Sequence, residues 1–284
     1  LQQSGHRVII VDNLSNSNKS VLGGIAKITG IRPDFEQADC TDFKAMDALF
    51  AKYGDIKAVI HFAASKAVGE SVEKPLLYYR NNLTSLINLL ELMSKYGTEA
   101  LVFSSSCTVY GQPDVLPVNV DAPIKPALSP YGNTKQISEE IITDSIKAGA
   151  RYKASILRYF NPIGAHPSAE IGELPLGVPQ NLIPYVTQTA AGLREMLSVF
   201  GNDYNTPDGS CIRDYIHVVD LAKAHVVALD RMLDGKSADK LEIFNLGTGK
   251  GLSVLEIVET FQRVTGVKLN YRIVGRRPGD IEQV

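Results

Sequence analysis

Short apolar runs alternate with longer amphipathic segments through the first half of the chain, and this alternation constrains the fold more than any other feature. The apolar runs read as strands at residues 7–11 and 35–38 and in the stretches KAVIHFAA, ALVFSSS and YKASILRYF. Helices are expected between them, at residues 43–53, at residues 76–96 and from about residue 130 onward. Strands and helices in strict alternation predict a doubly wound parallel sheet with right-handed crossovers, that is, an α/β fold.

The alternation of strands and helices becomes less regular beyond residue 160. The stretch NPIGAHPSAEIGELPLGVPQN there is rich in Gly and Pro and is predicted to be a loop. Expected there are a helix at 183–195, short strands around Val199 and Ile212, a helix at 221–232 and the strand LEIFNLG. Ser253 and Glu256 form a capping-box pattern that opens a last helix. We therefore predict a Rossmann-type dinucleotide-binding domain over residues 1–160. A smaller mixed α/β lobe over residues 161–284 is expected to bind mainly the substrate, with some elements returning to the sheet.

The two ends of the sequence also bear on the fold. Gly5 stands where the C-terminal cap of a helix is expected, directly before the first apolar run. In a dinucleotide-binding fold the Gly-rich phosphate loop lies about 20 residues before the acidic residue of the second strand. With Asp12 in that acidic position, the loop would precede residue 1. We expect the chain to be truncated at both ends and to lack the first strand and the Gly-rich loop of its fold.

The charge balance gives no indication of a nucleic-acid or membrane partner. The 29 basic and 31 acidic residues are interspersed and leave a net charge of −2. No apolar run approaches the length of a membrane span. The three cysteines, Cys40, Cys107 and Cys211, fit neither a disulfide framework nor a metal-binding spacing, and the histidines show no metal-ligand spacing either. A cytoplasmic protein without a metal site is therefore predicted.

The stretch SPYGNTK carries the strongest catalytic signal. Tyr131 and Lys135 lie four residues apart on a predicted helix and so share one face. A cation beside a phenol stabilises the phenolate and lowers its pKa, which makes the tyrosine a candidate general base. Tyr53 and Lys57 have the same spacing, but Gly54 ends the helix between them. We interpret that second pair as having no catalytic role.

Polar and small residues follow four of the predicted strands, at the edge where parallel sheets bind ligands. Ser104, Ser105 and Ser106 end one strand, and RYFNPIGAH ends another. Asp12 ends an earlier strand, where a carboxylate accepts the hydroxyls of an adenosine ribose and favours NAD over NADP. Ala63 and Ala64 leave room for a flat cofactor to approach the backbone.

Nine stretches together carry a resemblance to a known family: IVDNLS, VIHFAASKAVGES, YYRNNL, FSSSCTVYG, SPYGNTK, RYFNPIGAHP, QNLIPY, VFGNDYNTPDGSCIRDYIHV and RRPGD. They run from Asp12 to Asp280, nearly the whole chain, and FSSSCTVYG with GNDYNTPDG and RDYIHV is the most specific combination. By these motifs the chain resembles the UDP-glucose 4-epimerases, a family of the extended short-chain dehydrogenase/reductase superfamily. In that family a C-terminal tail completes the sugar pocket, and it too would lie beyond this sequence.

The resemblance implies reversible inversion at the sugar C4 of UDP-galactose and UDP-glucose through a transient 4-keto sugar, with tightly bound NAD. It implies that Tyr131 is the base, that Lys135 tunes it and holds the nicotinamide ribose, and that Ser106 binds the reacting hydroxyl. The implied cofactor-binding residues are Asp12, Asn13, Asp39, Phe62, Ala63, Lys66, Asn81, Tyr131, Lys135 and Tyr159. The implied substrate-binding residues are Ser106, Tyr131, Asn161, Asn181, Leu182, Phe200, Arg213, Arg277 and Asp280. A homodimer through the helices near 76–96 and 131–149, and a role in galactose metabolism, are implied as well.

Two rival functions remain to be weighed. A nucleotide-sugar 4,6-dehydratase of the same superfamily is expected to carry an Asp-Glu pair directly after the strand-end hydroxyl, where this chain has Cys107 and Thr108. A non-catalytic dinucleotide-binding sensor has little need of the tyrosine, the lysine and the serine together. The stretch GTGKG at residues 247–251 lacks the spacing of a phosphate-binding loop and is expected to be a turn.

Overall fold

The computed structural model describes residues 1–277 and 280–284, an α/β arrangement of eleven strands and eight α-helices. The strands are β1 (Ile9–Val11), β2 (Asp34–Glu36), β3 (Ala58–His61), β4 (Ala100–Ser106), β5 (Lys153–Tyr159), β6 (Asn161–Ile163), β7 (Leu197–Phe200), β8 (Ile212–His217), β9 (Leu241–Leu246), β10 (Gly251–Ser253) and β11 (Tyr271–Val274). The helices are α1 (Ser20–Thr29), α2 (Phe43–Tyr53), α3 (Val68–Glu73), α4 (Pro75–Tyr96), α5 (Pro130–Lys147), α6 (Leu182–Ala190), α7 (Val218–Leu233) and α8 (Val254–Thr265). Two 3₁₀ helices span Gln2–Ser4 and Cys107–Tyr110.

The central sheet is parallel and has the strand order β3-β4-β5-β9. Its strands alternate side chains between two faces, and both faces are covered by helices. Leu101 and Phe103 of β4 face a cluster that includes residues of α2, α4 and α5, whereas Val102 faces Leu229 and Met232 of α7. A parallel sheet buried on both faces is the doubly wound arrangement that the alternation of elements predicts, and the predicted fold class is confirmed.

The parallel strands do not form one continuous sheet. Strands β1 and β2 pair with each other in parallel, with Ile10 opposite Phe35, and form a separate two-stranded sheet. Among the described residues no further strand pairs with β1, and β3 has only β4 as a neighbour. The interruption therefore lies between β1 and β3, and the rest of the parallel order is intact.

The second half of the chain departs from the expected elements in several places. Asn161–Ile163, expected to be loop, forms β6 because it pairs in parallel with β8. The helix expected at 183–195 ends at Ala190, and β2 starts one residue earlier than expected and is shorter. Helices α1 and α3 and strands β10 and β11 were not predicted. These short elements are formed by tertiary pairing and packing, which sequence periodicity does not report.

Local capping patterns, in contrast, are found where the sequence indicates them. Gly5 caps the first 3₁₀ helix with a φ of 87°, a left-handed conformation that glycine adopts without strain. Ser253 and Glu256 form both hydrogen bonds of the predicted capping box at the start of α8. Strand β9 lies beside β5 in the central sheet, so the chain returns to the sheet after residue 160. The division into domains at residue 160 stays a prediction.

Candidate active site

Helix α5 begins at the stretch that carries the tyrosine and the lysine. The Ser129 side chain caps it by accepting a hydrogen bond from the Gly132 N–H at 3.1 Å, and Pro130 occupies the first turn, where its missing N–H costs nothing. Lys135 is buried, its Nζ donates to the Ser104 carbonyl oxygen at 2.6 Å, and Nζ lies 5.9 Å from the centroid of the Tyr131 ring. The helix therefore brings the phenol and the ammonium together, as the spacing predicts.

The pKa of the Tyr131 phenol differs from the expectation. Burial raises it to about 12, and the interaction with the Ser106 hydroxyl offsets part of that rise. Burial also lowers the pKa of Lys135 to about 8. The expected lowering of the Tyr131 pKa by Lys135 is thus absent from this arrangement, because desolvation has the largest effect on the pKa of the phenol.

The second tyrosine–lysine pair is separated, as expected. Helix α2 ends at Tyr53, and Gly54 caps it with a φ of 67°. The Tyr53 hydroxyl donates to Glu36 at 2.6 Å, and the Lys57 ammonium pairs with Asp55 at 2.7 Å on the surface. The two tyrosine–lysine pairs therefore have the same spacing, and they differ in burial and in whether they lie at an accessible strand end.

The end of β5 supplies a second tyrosine to the same edge of the sheet. Tyr159 lies opposite Ser106 in the parallel register, and its hydroxyl hydrogen-bonds the Ser104 hydroxyl. His225 of α7 packs against it with ring centroids 5.6 Å apart, and the ring of Phe62 lies 4.8 Å from His225. Phe62 is 58% exposed, an unusual exposure for an aromatic ring at a strand end.

His225 was missed by the sequence reasoning, which treated it as a structural residue. Its Nδ1 lies 2.8 Å from the Leu221 carbonyl oxygen and is the donor there, so Nε2 is an acceptor. That Nε2 is buried, and nothing in the described part of the chain hydrogen-bonds to it. An unsatisfied buried acceptor beside Phe62 and Tyr159 indicates a donor from outside these residues.

The loop after β3 is connected to helix α5 by Asn82, a residue that the sequence analysis did not assign to the site. Asn82 accepts the Ser65 N–H at 2.8 Å, and its Nδ2 donates to the Thr134 hydroxyl of α5 at 3.0 Å. Asn81 donates to the Ser65 hydroxyl at 3.1 Å. Ala63 lies in the same loop and is partly buried. Lys66 is exposed, with its Nζ 3.9 Å from a Glu173 carboxylate oxygen.

Asp12, Asn13 and Asp39 lie together at the carboxyl ends of β1 and β2. The Asp12 carboxylate accepts the Leu14 N–H at 2.6 Å and the Ser17 hydroxyl at 2.7 Å. Asn13 Nδ2 donates to Asp39 at 3.0 Å. Hydrogen bonds from Thr41 and then Asn13 lower the pKa of Asp39, so it is a carboxylate at neutral pH. This cluster lies on the two-stranded sheet, apart from the residues of α5.

A cavity of about 430 Å³ opens between the segments that follow β5. All seven residues predicted to bind the UDP-sugar outside the catalytic group line it: Asn161, Asn181, Leu182, Phe200, Arg213, Arg277 and Asp280. Tyr185 and Tyr215 line it as well and were not predicted. Asn161 lies two residues beyond Tyr159 in the chain and so connects the cavity to the catalytic residues, although Tyr131 itself is not among the lining residues.

The charges of this cavity are organised around one carboxylate. Asp280 accepts from the Arg277 guanidinium at 2.8 Å, and Arg213 Nη2 lies 3.8 Å from the same oxygen. The Arg277 guanidinium also lies 5.5 Å from the centroid of the Phe200 ring. Asp280 thus holds two guanidiniums side by side, a geometry that suits a diphosphate with an aromatic ring nearby.

The stretch GTGKG forms a turn, as expected, and Asp214 organises it. The buried Asp214 carboxylate accepts the Thr248 N–H at 2.8 Å, the Gly249 N–H at 2.8 Å and the Thr248 hydroxyl at 2.7 Å. The N–H groups that would otherwise bind a phosphate are therefore occupied by a carboxylate. Within the described residues no cluster of three or more His, Cys, Asp or Glu side chains is arranged to hold a metal ion.

Comparison with known proteins gives a consistent result. A model of the "NAD dependent epimerase/dehydratase family" matches residues 1–247. The UDP-glucose 4-epimerase of Bacillus subtilis (strain 168) is 53% identical over 281 residues, covering 99% of this chain and 81% of the relative. The crystal structure of the Bifidobacterium longum UDP-glucose 4-epimerase, in complex with NAD+ and UDP, is 45% identical, with a TM-score of 0.94 over 99% of this chain and 83% of that one.

A second solved structure agrees with the first. The UDP-glucose-4-epimerase of Stenotrophomonas maltophila, with bound NAD and formylated UDP-arabinopyranose, is 50% identical with a TM-score of 0.93, covering 99% of this chain and 82% of that one. Each of these matches covers 99% of this chain, and therefore includes the strand ends, helix α5 and the cavity described above. The chain therefore belongs to the NAD dependent epimerase/dehydratase family, and within it to the UDP-glucose 4-epimerases.

Proposed function

We propose that this protein is an isomerase that interconverts UDP-galactose and UDP-glucose by inverting the sugar C4 through a transient 4-keto sugar, with tightly bound NAD. The observation that carries the proposal is the position of Tyr131, Lys135 and Ser106 at one sheet edge, next to a cavity that holds two arginines. The identity of about 50% to UDP-glucose 4-epimerases supports the same reaction.

The residues at the sheet edge fit NAD. The carboxylates of Asp12 and Asp39 and the amide of Asn13 suit the hydroxyls of the adenosine ribose and the adenine edge. The exposed Phe62 ring, with Ala63 beside it, offers an apolar surface to a flat ring, and the unsatisfied Nε2 of His225 offers an acceptor next to it. The set of NAD-binding residues would be completed by Lys66 in the loop after β3, by Asn81 of α4 and by Tyr159. NAD, when bound, would supply a hydride acceptor and donor for C4 and a positive charge near Tyr131.

Tyr131 and Lys135 perform the proton transfer in this proposal. The Tyr131 phenolate takes the proton of the 4-hydroxyl as C4 is oxidised, and the phenol returns it when C4 is reduced. Because the Tyr131 pKa is raised to about 12, mainly by burial, nearby positive charge is needed to make the phenolate available at neutral pH. The Lys135 ammonium supplies part of that charge from a fixed position against the Ser104 carbonyl. Ser106 orients the reacting hydroxyl.

The cavity holds the UDP portion while the sugar reaches Tyr131. Arg213 and Arg277 bind the diphosphate by charge-assisted hydrogen bonds, and Asp280 holds the two guanidiniums side by side. Asn161, Asn181, Leu182 and Phe200 contact the sugar or the uridine. Holding the nucleotide firmly is what allows the ketone to turn over and present its other face to the same groups.

Turnover of UDP-galactose without added cofactor tests the proposal. The protein, expressed from its complete reading frame, should convert UDP-galactose to UDP-glucose in an NMR assay, since tightly held NAD is neither consumed nor exchanged. If the purified protein carried NAD but left UDP-galactose unchanged, the fold and cofactor would stand and the substrate assignment would be wrong.

The dehydratase alternative is less well supported. A 4,6-dehydratase needs an acid and a base beside the reacting carbons, and this chain has Cys107 and Thr108 there. Cys107 is buried, and burial raises the pKa of its thiol to about 11, so it is a poor acid or base at neutral pH.

We also propose a homodimer. Helix α4 exposes three apolar side chains, Leu76, Leu77 and Ile87, with Leu76 76% exposed, and exposed apolar side chains suit a protein interface. We expect sedimentation velocity at micromolar concentration to give the mass of a dimer. A monomer under those conditions would remove this part of the proposal.

A cytoplasmic location completes the proposal. Cys40, Cys107 and Cys211 are free thiols, as expected of a reducing compartment. In the described part of the chain no helix is both long and apolar enough to cross a bilayer. Cell fractionation that recovered the activity outside the cytosol would contradict this location.

A further inference from the structure

An ion pair lies directly behind the catalytic pair and has no assigned part in the reaction. Glu139 lies one turn after Lys135 and two turns after Tyr131 on α5, so the three side chains follow one face of the helix. Arg158 of β5 meets Glu139 through two parallel hydrogen bonds, Nη2 to Oε2 at 2.6 Å and Nε to Oε1 at 3.0 Å. The two side chains are only 6% and 11% exposed for Arg158 and Glu139, respectively.

The same face of α5 is joined to three consecutive residues of β4. The Ser105 hydroxyl donates to Glu139 at 2.5 Å, the Ser104 carbonyl accepts from Lys135 at 2.6 Å, and the Ser106 hydroxyl interacts with Tyr131. The polar contacts of the helix with the strand end therefore form one continuous set, and Glu139 is its inner member.

Arg158 extends this set into the loop that precedes α5. Its Nη1 donates to the Tyr110 hydroxyl at 2.9 Å, and that hydroxyl donates to Asn245 of β9 at 2.6 Å. Asn245 in turn donates to the Val118 carbonyl at 3.1 Å. The ion pair thus lies at the junction of β4, β5, β9 and α5.

Stability alone does not account for a charged pair at this place. A buried ion pair gives little or no net stabilisation relative to apolar side chains of similar size, because desolvation offsets the attraction of the charges. An apolar pair between α5 and β5 would pack the same interface. A negative charge one turn from Lys135 has a different effect, since it stabilises the ammonium that burial destabilises.

We propose that Glu139 is a positioning residue for the reaction, which keeps Lys135 charged and fixes the register of α5 against the end of β4, while Arg158 holds the Glu139 carboxylate in place. The inference rests on the proposed function, because it assigns Lys135 to the support of the Tyr131 phenolate. Glu139 acts through Lys135 and does not contact the reacting atoms.

The other groups around Lys135 leave Glu139 as the one charge that favours the ammonium among the described residues. His61 of β3 is buried, and burial lowers its pKa to about 3, so it is neutral. The remaining titratable groups near Tyr131 and Lys135 are the Cys107 thiol and three phenols, all with raised pKa values: Tyr78 of α4, Tyr131 of α5 and Tyr159 of β5. Arg158 is positive, and without Glu139 it would lower the Lys135 pKa further.

Glu139→Gln tests the proposal because it removes the charge and keeps an acceptor for Ser105 and Arg158. Lys135 has a pKa of about 8 with Glu139 present. A drop of about one unit would lower the ammonium fraction about fivefold at pH 8 and only slightly at pH 6.5. We expect kcat to fall by those ratios and the alkaline limb of its pH profile to move about one unit toward acid. KM and the content of bound NAD should stay near parental values. Glu140→Gln, on the exposed side of the helix, is the matched control.

The variants of Arg158 separate the positioning role from a structural one. Arg158→Met should lower thermal stability, because it leaves Glu139 buried without its partner, but it should not move the alkaline limb toward acid. Glu139→Gln combined with Arg158→Met removes both charges. This double variant should regain the thermal stability that Arg158→Met loses, while the alkaline limb of the pH profile stays displaced toward acid. A parental pH profile in both Glu139→Gln and the double variant would overturn the proposal and leave a purely structural ion pair.

A measurement that needs no substrate keeps this inference separate from the proposed function. NMR titration of Lys135 with isotope-labelled lysine in the NAD-bound protein should show a lower pKa in Glu139→Gln and in the double variant than in the parent. If the parent failed to turn over UDP-galactose but this shift appeared, the proposed function would be wrong and the coupling of Glu139 to Lys135 would stand. An unchanged Lys135 pKa in both variants would overturn the inference even if the parent were active.

Discussion

Tyr131→Phe is expected to lower kcat for UDP-galactose by about 10³-fold, within the range that a single general base contributes. The substitution removes only the hydroxyl oxygen, so the ring that packs beside Lys135 is retained. The thermal stability, the content of bound NAD and the affinity for UDP should all stay close to those of the parent. NMR turnover, absorbance of the extracted cofactor and a melting curve measure these quantities separately.

The chain supplies its own control for this substitution. Tyr53→Phe removes the hydroxyl of the other tyrosine that precedes a lysine by four residues, where the structure shows only a hydrogen bond to Glu36. We expect parental turnover in that variant and at most a small loss of stability. If Tyr131→Phe kept more than a tenth of the parental kcat, another group would have to be the base, and the proton-transfer role proposed for α5 would be wrong.

The sequence predicted which side chains lie together where those residues are close in the chain or end neighbouring strands. Tyr131 and Lys135 are one helical turn apart, so their proximity follows from helix geometry once Ser129 and Pro130 are recognised as the start of a helix. Ser106 and Tyr159 were expected at the same edge because parallel strands end together, and they do lie opposite each other. The motif resemblance also grouped residues that are distant in the chain, since the seven residues that it assigned to the UDP-sugar line one cavity.

What the sequence did not predict depends on contacts between distant segments. Asn82 hydrogen-bonds to Ser65, 17 residues before it, and to Thr134, 52 residues after it. Arg158 meets Glu139 from a different element, and no periodicity reports such pairs. The direction of the Tyr131 pKa was missed for a related reason. Spacing reveals the neighbouring cation but not the depth of burial, and here desolvation is the larger effect.

Arg213→Met is expected to weaken UDP binding about 100-fold, the effect of removing one partner of a desolvated charge pair worth about 2–3 kcal/mol. The Arg213 side chain is 15% exposed and lies in the cavity beside Asp280, which would then oppose the diphosphate with only Arg277 to neutralise it. KM for UDP-galactose should rise by a similar factor, whereas kcat at saturation should change little, because the arginine binds substrate and transition state alike. Isothermal titration with UDP measures the affinity without any chemistry.

Arg213→Lys and Arg263→Met are the variants that make this result specific. Lysine keeps the charge but lacks the planar fork of guanidinium donors, so it should recover only part of the lost affinity. Arg263 lies exposed on α8, away from the cavity, and its replacement by Met should leave the UDP affinity at the parental value. Arg213 also donates to the carbonyl oxygen of Ile212 at 2.8 Å, so a melting curve must show that the loss of affinity is not a loss of fold. Parental UDP affinity in a stably folded Arg213→Met protein would mean that the diphosphate binds elsewhere, and the substrate site proposed for this cavity would have to be abandoned.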